Sequence, residues 1–325
     1  MTITAAMVLA AGRGERMRPL SDAVPKPALP LVGEPVIASP LRLAAASGAG
    51  RLVVNTWHLA DAMAAAVAAV DLPTEVAISR EPALMGTAGG LVLARERGLL
   101  GARGPVLVIN GDGVLDLELE PVVRRMAEAD DLVSFALLPH PDPQRWSRVL
   151  LDADGKVCRI VDSGSPDPGE VPLLYPGVML VSRTALDGLG AGPGGVPERL
   201  WGPVLASGRL GGVVVSGRWR EIGTPDDYLG AVLDRLSGRV VIDRTATVDP
   251  TATVASALVG ARAEIGRRAT VRQSVVGAGV HVGHDARVIR SVLLGGVSVH
   301  AGKPVVDSHL AAPTATDDRE HPPRS

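Results

Sequence analysis

The most regular feature of the chain is a repeat of aliphatic residues toward its C-terminal end. One aliphatic residue recurs there at successive spacings of six, six and five, which gives a 17-residue period repeated almost four times. Fixed-period aliphatics are typical of hexapeptide repeats, in which three flat faces close a coil and stacked coils bury one apolar column. We therefore predict a short left-handed parallel β-helix over residues 240–307. The repeating positions are Ile242, Val248, Val254, Val259, Ile265, Val271, Val276, Val282, Val288, Leu293, Val299 and Val305.

Before this repeat, apolar runs alternate with helix-like stretches. Such alternation favours crossover units and a mainly parallel sheet, with ligands at the carboxyl ends of the strands. The prediction is an α/β fold with a Rossmann-like, mainly parallel sheet over residues 1–236, followed by the β-helix. We expect Pro304 to break the repeat, and residues 308–325 to form a disordered tail. The apolar runs cover residues 51–55, 76–79, 106–110, 132–138 and 178–182.

Composition and charge narrow the class of function. The chain is 46% hydrophobic and 21% charged, with a formal charge of −2, which is an ordinary globular composition. Without a basic block, and with only 2% aromatic residues, a nucleic-acid partner is not expected. No apolar run is long enough to predict a membrane span. The single cysteine, Cys158, leaves no intramolecular disulfide or cysteine zinc site, so the expected compartment is the cytoplasm.

A glycine-rich segment follows the first apolar run. Gly12 and Gly14 let backbone amides crowd an anionic ligand, and Arg16 adds positive charge. The segment is not a dinucleotide fingerprint, because Met17 takes the place of the third glycine, and no Gly-Lys-Ser/Thr follows to make a P-loop. A simple strand-to-helix turn is the alternative interpretation, and the sequence that follows favours a phosphate-binding loop.

Lys26 is a further candidate cation. It lies between Pro25 and Pro27, whose rings fix the backbone on both sides. The chain has 30 arginines but only three lysines, Lys26, Lys156 and Lys303. An ammonium at this position therefore indicates a need for a compact point charge.

These residues begin an ordered series of motifs. The series resembles the motifs of the sugar-1-phosphate nucleotidyltransferases, and the predicted β-helix is similar to that of mannose-1-phosphate guanylyltransferases. The resemblance extends over nearly all of residues 5–310. Its motifs are Leu9-Ala-Ala-Gly-x-Gly-x-Arg16, Pro19-Leu20, Pro25-Lys26-Pro27, Glu81-Pro-Ala-Leu-Met-Gly86-Thr87-Ala88-Gly89, Asn110-Gly111-Asp112 and Trp219-Arg-Glu221-Ile-Gly223-Thr224-Pro225.

The resemblance implies a reaction, its cofactor and its partners. A sugar 1-phosphate would attack the α-phosphorus of a nucleoside triphosphate, giving a nucleotide sugar and pyrophosphate. The cofactor implied is Mg²⁺, and the β-helix implies a homo-oligomer. GTP and mannose 1-phosphate are the favoured substrates, with UTP or dTTP and another sugar 1-phosphate as the alternative.

The resemblance also assigns residues to roles. Arg16, Lys26 and Asp112 would be catalytic, and Asp112 and Glu221 would bind the metal ion. The nucleotide would contact Ala10, Ala11, Gly12, Gly14, Arg16, Lys26, Gly86, Thr87, Ala88, Gly89 and Asp112.

The motifs depart from the family pattern at the sugar end. Glu221 stands where the family has aspartate, Trp146-Ser147 replaces a Tyr-Gly pair, and the family's Glu-Lys-Pro is absent after Val161. Arg148 and Arg159 are candidate replacements for its lysine, which holds the sugar phosphate. The full set of candidates at this end is Asn110, Trp146, Arg148, Gly177 and Glu221.

Two other classes of function stay open. The missing lysine and Glu221 are compatible with a regulatory subunit that binds a nucleotide sugar without turnover. A hexapeptide acyltransferase would need a histidine at the coil edge, for which His281, His284 and His300 are available. The repeat has no long excursion loop to build an acyl-donor site, so a nucleotidyltransferase is the preferred interpretation.

Overall fold

The computed structural model describes residues 1–312 of the chain. Two compact units make up the fold. The predicted boundary at residue 236 does not coincide with their division, because two N-terminal segments cluster with the C-terminal residues. The first unit contains Met1–Gly12, Ile37–Ala60 and Asp71–Trp219, and the second contains Arg13–Val36, Asp61–Val70 and the described residues from Arg220 onward.

The helices are short, and most lie between strands. Short 3₁₀ turns cover Glu15–Met17 and Lys26–Ala28, and a π-helical turn covers Pro197–Trp201. The α-helices within residues 1–312 are α1 (Leu20–Ala23), α2 (Ala38–Ala46), α3 (Ala60–Ala68), α4 (Gly86–Glu96), α5 (Glu120–Glu128), α6 (Arg183–Asp187), α7 (Gly202–Ala206) and α8 (Pro225–Leu236).

All five predicted apolar runs form strands, and they are the second, third, fourth, sixth and tenth strands along the chain. The bounds are β1 (Ala5–Leu9), β2 (Leu52–Thr56), β3 (Val76–Arg80), β4 (Val106–Asn110), β5 (Gly113–Leu117), β6 (Val133–Pro139), β7 (Arg148–Leu151), β8 (Val157–Val161), β9 (Leu173–Leu174), β10 (Val178–Val181), β11 (Leu210–Val214) and β12 (Gly217–Glu221).

A mainly parallel sheet forms the centre of the first unit and makes the fold a mixed α/β type. Its order is β3-β2-β1-β4-β10-β6-β9-β7-β8, with β11 beside β6. The neighbours β3, β2, β1 and β4 are parallel, whereas β10 runs antiparallel to β4 and β6. Strand β1 is apolar throughout because helices cover both faces of such a sheet. Strand order reverses between β1 and β4, where α/β sheets commonly bind ligands.

The core of this unit packs helices α4, α6 and α7 against the sheet. Phe135 is fully buried at its centre. Its ring centroid lies 4.5 Å from that of Tyr175 and 5.0 Å from that of Trp201. The chain has only seven Phe, Tyr and Trp residues, and three of them form this cluster.

The strands after α8 are two or three residues long and repeat along the chain. Each pairs in parallel with the strand 17 residues further on, as in Val259 with Val276 and Ile265 with Val282. They are β13 (Val241–Ile242), β14 (Thr247–Val248), β15 (Thr253–Ala255), β16 (Leu258–Val259), β17 (Glu264–Ile265), β18 (Thr270–Arg272), β19 (Val275–Val276), β20 (His281–Val282), β21 (Arg287–Ile289), β22 (Val292–Leu294), β23 (Ser298–Val299), β24 (Pro304–Val306) and β25 (His309–Ala311).

These strands build three parallel sheets around one apolar column. The orders are β13-β16-β19-β22-β25, β14-β17-β20-β23 and β15-β18-β21-β24. The predicted aliphatic positions from Val248 to Val305 lie in or against the column, whereas Ile242 in the first strand is 44% exposed. Ile242 has a neighbouring strand on only one side, because β13 is an edge of its sheet.

The corners of the repeat require left-handed backbone at fixed intervals. Ser256, Gln273, Arg290 and Asp307 recur every 17 residues with φ between 45° and 49°. Because the corner recurs, the side chains of successive coils stack there, and Arg290 Nε donates to Asp307 Oδ1 at 2.6 Å.

The end of the repeat differs from the prediction. Pro304 does not break the pattern: it begins β24, an edge strand, where the first position tolerates a residue without an N–H. The coil also continues past residue 307, because His309–Ala311 pairs with β22. The rest of the predicted tail, residues 313–325, lies outside the described residues. Within residues 1–312, no helix has both the length and the apolar character needed to cross a membrane.

Candidate functional site

The ends of β1 and β4 bring two motifs together in the first unit. Leu9 and Asn110, the last residues of the two strands, are register partners, and Gly111 N–H donates to Leu9 O at 2.9 Å. A Cβ at Gly111 would lie 2.7 Å from that oxygen, so only glycine fits there. The loop 10–12 therefore lies beside the segment that carries the half-buried Asp112.

A buried polar network lies at the same edge of the sheet, and the sequence analysis gave its residues no role. Asn55, near the end of β2, accepts a hydrogen bond from Ala10 N–H at 2.8 Å and donates to Glu81 Oε1 at 2.7 Å. Glu81 Oε2 accepts from Met85 N–H at 3.0 Å. The network thus ties the loop after β1 to the segment that begins α4. The signal in the sequence is a polar residue at the end of an apolar run.

Glu81 is the titratable group of this network. Glu81 is 7% exposed, and desolvation raises the pKa of its carboxyl, while the hydrogen bonds from Asn55 and Met85 and the charge of Arg97 act to lower it. Gly90 is required beside it, because a Cβ there would lie 2.6 Å from Glu81 Oε1.

Close contacts with residues 192–194 explain why glycines occupy the start of α4. A Cβ on Gly86, which has φ of 70°, would lie 2.6 Å from Gly194 O, and one on Gly89 would lie 2.9 Å from Gly192 O. Ala88 N–H donates to Gly194 O at 3.0 Å. The small residues therefore admit the backbone of the segment 190–196, which we call the covering segment.

Thr87 and Arg199 hold the covering segment in place. Thr87 Oγ1 accepts from Val196 N–H at 2.8 Å. The Arg199 guanidinium donates to the carbonyl groups of Gly190, Ala191 and Gly192. The candidate nucleotide residues from Gly86 to Gly89 thus already contact protein backbone in this structure.

Asn110 and Gly177, two candidates at the sugar end, are in direct contact. Asn110 N–H donates to Gly177 O at 2.8 Å. Gly177 has φ of 84°, and a Cβ there would lie 2.6 Å from Asn110 Nδ2. Glycine is therefore needed both for the backbone conformation and for the space occupied by the asparagine amide.

The other sugar-end candidates lie around β7. Trp146 packs edge to face on Trp219, with ring centroids 5.1 Å apart, and the Arg145 guanidinium lies 4.6 Å from the Trp146 ring centre. Arg148 is buried, and its Nη1 lies 3.2 Å from Glu170 Oε2. Arg159 pairs with the other oxygen of Glu170, so one carboxylate holds both candidate arginines.

In the second unit, the loop with Arg16 meets the strand with Glu221. Arg16 Nη2 lies 3.1 Å from Glu221 Oε1, although the residues are 205 positions apart. The Arg16 side chain is 69% exposed and that of Glu221 is 19% exposed, so the arginine is the partner with room for a further anion. Glu221 is the last residue of strand β12.

Gly14 and Lys26 lie in the same unit and pack closely. Gly14 has φ of 63°, and a Cβ there would lie 3.3 Å from the Cβ atoms of Lys26 and Ser21. Lys26 is 7% exposed. The loop therefore holds the ammonium stem in a confined position, as the flanking prolines predict.

Helix α8 fixes the segment after Glu221. Thr224 caps the helix: its side chain accepts from Asp227 N–H at 3.2 Å, and Asp227 Oδ2 accepts from Thr224 N–H at 3.0 Å. Tyr228 is fully buried and donates through its hydroxyl to Pro30 O at 2.6 Å, and burial raises the pKa of that hydroxyl. The helix thus connects the Glu221 segment to the segment that follows Lys26.

The donor chemistry of the proposed metal ligands suits Mg²⁺. Asp112 and Glu221 offer carboxylate oxygens, the hard ligands that this ion prefers. Among residues 1–312, no three His, Cys, Asp or Glu side chains group together as a complete metal site. Mg²⁺ commonly takes most of its ligands from water and substrate phosphates, so one or two carboxylates are enough to bind it.

Comparison with known proteins shows what the chain is similar to. Residues 5–163 match the family described as Nucleotidyl transferase. Mannose-1-phosphate guanylyltransferase 1 of Arabidopsis thaliana is 26% identical over 269 residues, which cover 75% of this chain and 72% of that protein. The mannose-1-phosphate guanylyltransferase catalytic subunit beta of Xenopus tropicalis is 25% identical over 227 residues, covering 69% of this chain and 62% of that protein. Over residues 5–163 the chain is thus similar to nucleotidyltransferases, and over most of its length it is similar to these two guanylyltransferases.

Proposed function

We propose that the protein transfers a nucleoside monophosphate from a nucleoside triphosphate to a sugar 1-phosphate. The observation that carries the proposal is the contact between Arg16 and Glu221, because it joins the first and last motifs of the family across 205 residues. The relatives named as mannose-1-phosphate guanylyltransferases support the same class of reaction.

The proposed step is a single in-line displacement. A phosphate oxygen of the sugar 1-phosphate forms a bond to the α-phosphorus, the bond from that phosphorus to the bridging oxygen of the β-phosphate breaks, and pyrophosphate leaves with the electron pair. No covalent intermediate on the protein is needed. Catalysis then consists of positioning and charge neutralisation, as in phosphoryl transfer generally.

We assign the protein groups by their chemistry. Gly12 and Gly14 present backbone amides to the triphosphate. Arg16, whose side chain is 69% exposed, adds a guanidinium. Lys26 supplies a confined positive charge for the α-phosphate. Gly86–Gly89 contact the base and ribose once the covering segment gives way to the ligand.

A divalent metal ion is part of the proposal, since enzymes of this family generally use one. We propose Mg²⁺, held by the carboxylates of Asp112 and Glu221. The ion would supply charge neutralisation on the phosphate oxygens. Glu221 would then balance two cations, the metal ion and Arg16, which one carboxylate with two oxygens can do.

The favoured substrates are GTP and mannose 1-phosphate. The support is the names of the relatives and the C-terminal coil, which we propose is a left-handed β-helix. Arg148 and Arg159 are both paired with Glu170, so binding a sugar phosphate through either one requires competition with that carboxylate. Another nucleotide with another sugar 1-phosphate is the second candidate.

The experiment that tests the function is a matrix of substrates. Pyrophosphate release is measured with each of GTP, UTP, dTTP, ATP and CTP against mannose, glucose and N-acetylglucosamine 1-phosphates, with and without Mg²⁺. We expect one strongly preferred pair and no release without the divalent ion. Tight binding of a nucleotide sugar, with no release from any pair, would instead show a regulatory subunit.

A further inference from the structure

The last coil of the C-terminal repeat contacts the segment that follows Arg16. Strand β25 packs against α1, the short helix that the Arg16 loop leads into. At the adjacent turn, Gly295 faces the same helix, and a Cβ there would lie 3.0 Å from Ala23 Cβ and would also collide with Ala312 O. The turn and the helix are thus in contact with no room for a methyl group.

The same coil also contacts the segment that follows Glu221. His309 Nε2 lies 3.0 Å from Asp226 Oδ1, in the first turn of α8. The carboxylate accepts, so the ring N–H donates. The His309 side chain is 18% exposed, and its Nδ1 is buried without a hydrogen-bond partner among residues 1–312. The bond to Asp226 therefore provides the ring's hydrogen bonding.

Helix α8 closes the connection back to the loop. Tyr228 donates to Pro30 O at 2.6 Å, and Arg235 pairs with Glu34. The segment 13–36 is therefore held at α1 by the coil and near Pro30 by α8. Arg16 lies four residues before α1, and Glu221 lies five residues before Asp226, so each closely precedes a point that the last coil contacts.

We propose that the last coil positions the Arg16–Glu221 pair for the nucleotide, with His309 and Gly295 as positioning residues that touch no substrate. This inference rests on the proposed function for what the pair binds. If the contacts loosen, only a fraction of molecules presents the Arg16 loop in its binding conformation, and apparent nucleotide affinity falls by that fraction. Once bound, the nucleotide restores the loop, so turnover at saturation changes little.

Two pairs of variants of the full-length protein separate this role from general damage. Gly295→Ala pushes a methyl group against α1. Gly296 is the control position: it also has a positive φ, of 70°, but the nearest atom to a Cβ there is Gly279 O, at 3.7 Å. The backbone strain of alanine is therefore shared by the two variants, whereas the collisions with Ala23 and Ala312 occur only in Gly295→Ala. His309→Ala removes the bond to Asp226, whereas His281→Ala removes a similar pair with Glu264, 3.1 Å long, within the coil. His309→Gln restores a donor.

The first readout does not depend on catalysis. Hydrogen exchange is followed at Met17, Asp22 and Val24, whose amides donate to Gly14, Pro19 and Leu20 carbonyl oxygens. We expect faster exchange in the Gly295→Ala and His309→Ala variants, rates like those of the wild type in the Gly296→Ala and His281→Ala controls, and a return toward the wild-type rate in His309→Gln.

The second readout is kinetic, with the triphosphate that the substrate matrix selects. We expect its KM to rise about fivefold or more in the two test variants, with kcat at saturation within about twofold of the wild type. Unchanged exchange and unchanged KM in both test variants, or equal changes in the controls, would overturn the inference. A wild-type protein without turnover would refute the proposed function, and the exchange rates would still decide whether the coil positions the loop.

Discussion

At the scale of single residues, Glu81 is the group on which the edge of the sheet depends. Its two oxygens accept from Asn55 and from Met85 N–H, so one buried carboxyl connects β2 to the start of α4. Such a buried carboxyl makes the free energy of unfolding depend on pH, because burial opposes ionisation of the group.

Glu81→Gln is expected to change how stability depends on pH. Since the pKa of Glu81 is raised in the folded protein, the folded state keeps a proton that the unfolded state loses above its ordinary pKa of about 4.3. Unfolding then releases a proton, and stability falls as pH rises through this window. Urea unfolding at a series of pH values should show the wild type losing stability relative to Glu81→Gln as pH increases. Parallel curves would contradict the assignment.

The role of Asn55 and Glu81 shows what the sequence leaves undetermined at this scale. The motif positions Gly12, Asp112 and Glu221 can be recognised in the sequence because the motifs that contain them resemble those of a known family. Asn55 acquires its role from the register of β1 with β2, which places it beside Ala10. Register is a property of the folded sheet, so the partner of a polar residue at a strand end is not apparent from the sequence.

At the scale of elements, the start of α4 and the covering segment depend on each other. The resemblance assigned Gly86 and Gly89 to contact with the nucleotide. In the structure the approaching groups are carbonyl oxygens of Gly192 and Gly194. The segment 190–196 has no apolar periodicity, so nothing in its sequence indicated where it packs.

A matched pair of glycine substitutions tests this dependence. Gly86 and Gly98, at opposite ends of α4, both have φ of 70°, but a Cβ on Gly98 meets nothing within 4 Å. Gly98→Ala should cost roughly 1–2 kcal/mol of unfolding free energy from the left-handed backbone alone. Gly86→Ala should cost about 1–3 kcal/mol more, because the methyl group displaces Gly194. Equal urea midpoints for the two variants would contradict the claim that close packing of the covering segment on Gly86 contributes to stability.

At the scale of the whole molecule, the 17-residue period was the most informative signal in the sequence. It predicted the three parallel sheets and nearly all of the buried column, since each coil repeats the same contacts. It did not predict that Arg13–Val36 would cluster with the coil, because that association depends on contacts such as those of Gly295 and His309.

We also propose that the coil mediates self-association. Val306, in the last coil, is an apolar side chain that is 44% exposed. Val306→Asp should lower the mass measured by light scattering toward the 33.5 kDa of one chain. Val171→Asp is the control, since Val171 is 74% exposed and lies outside the coil. A wild-type protein that stays monomeric at all concentrations would refute this proposal.

The account as a whole depends on a positive charge held in a confined position at Lys26. The most direct test is pyrophosphate release by Lys26→Ala, compared with the wild type and with Lys303→Ala, which removes an exposed lysine of the coil. Removing one pre-positioned charge from a transferring phosphoryl group is expected to lower kcat by about 10²–10³-fold. Circular dichroism should show the same fold in all three proteins. Loss of turnover in Lys26→Ala alone is the predicted result, and turnover equal to that of the wild type would contradict the account.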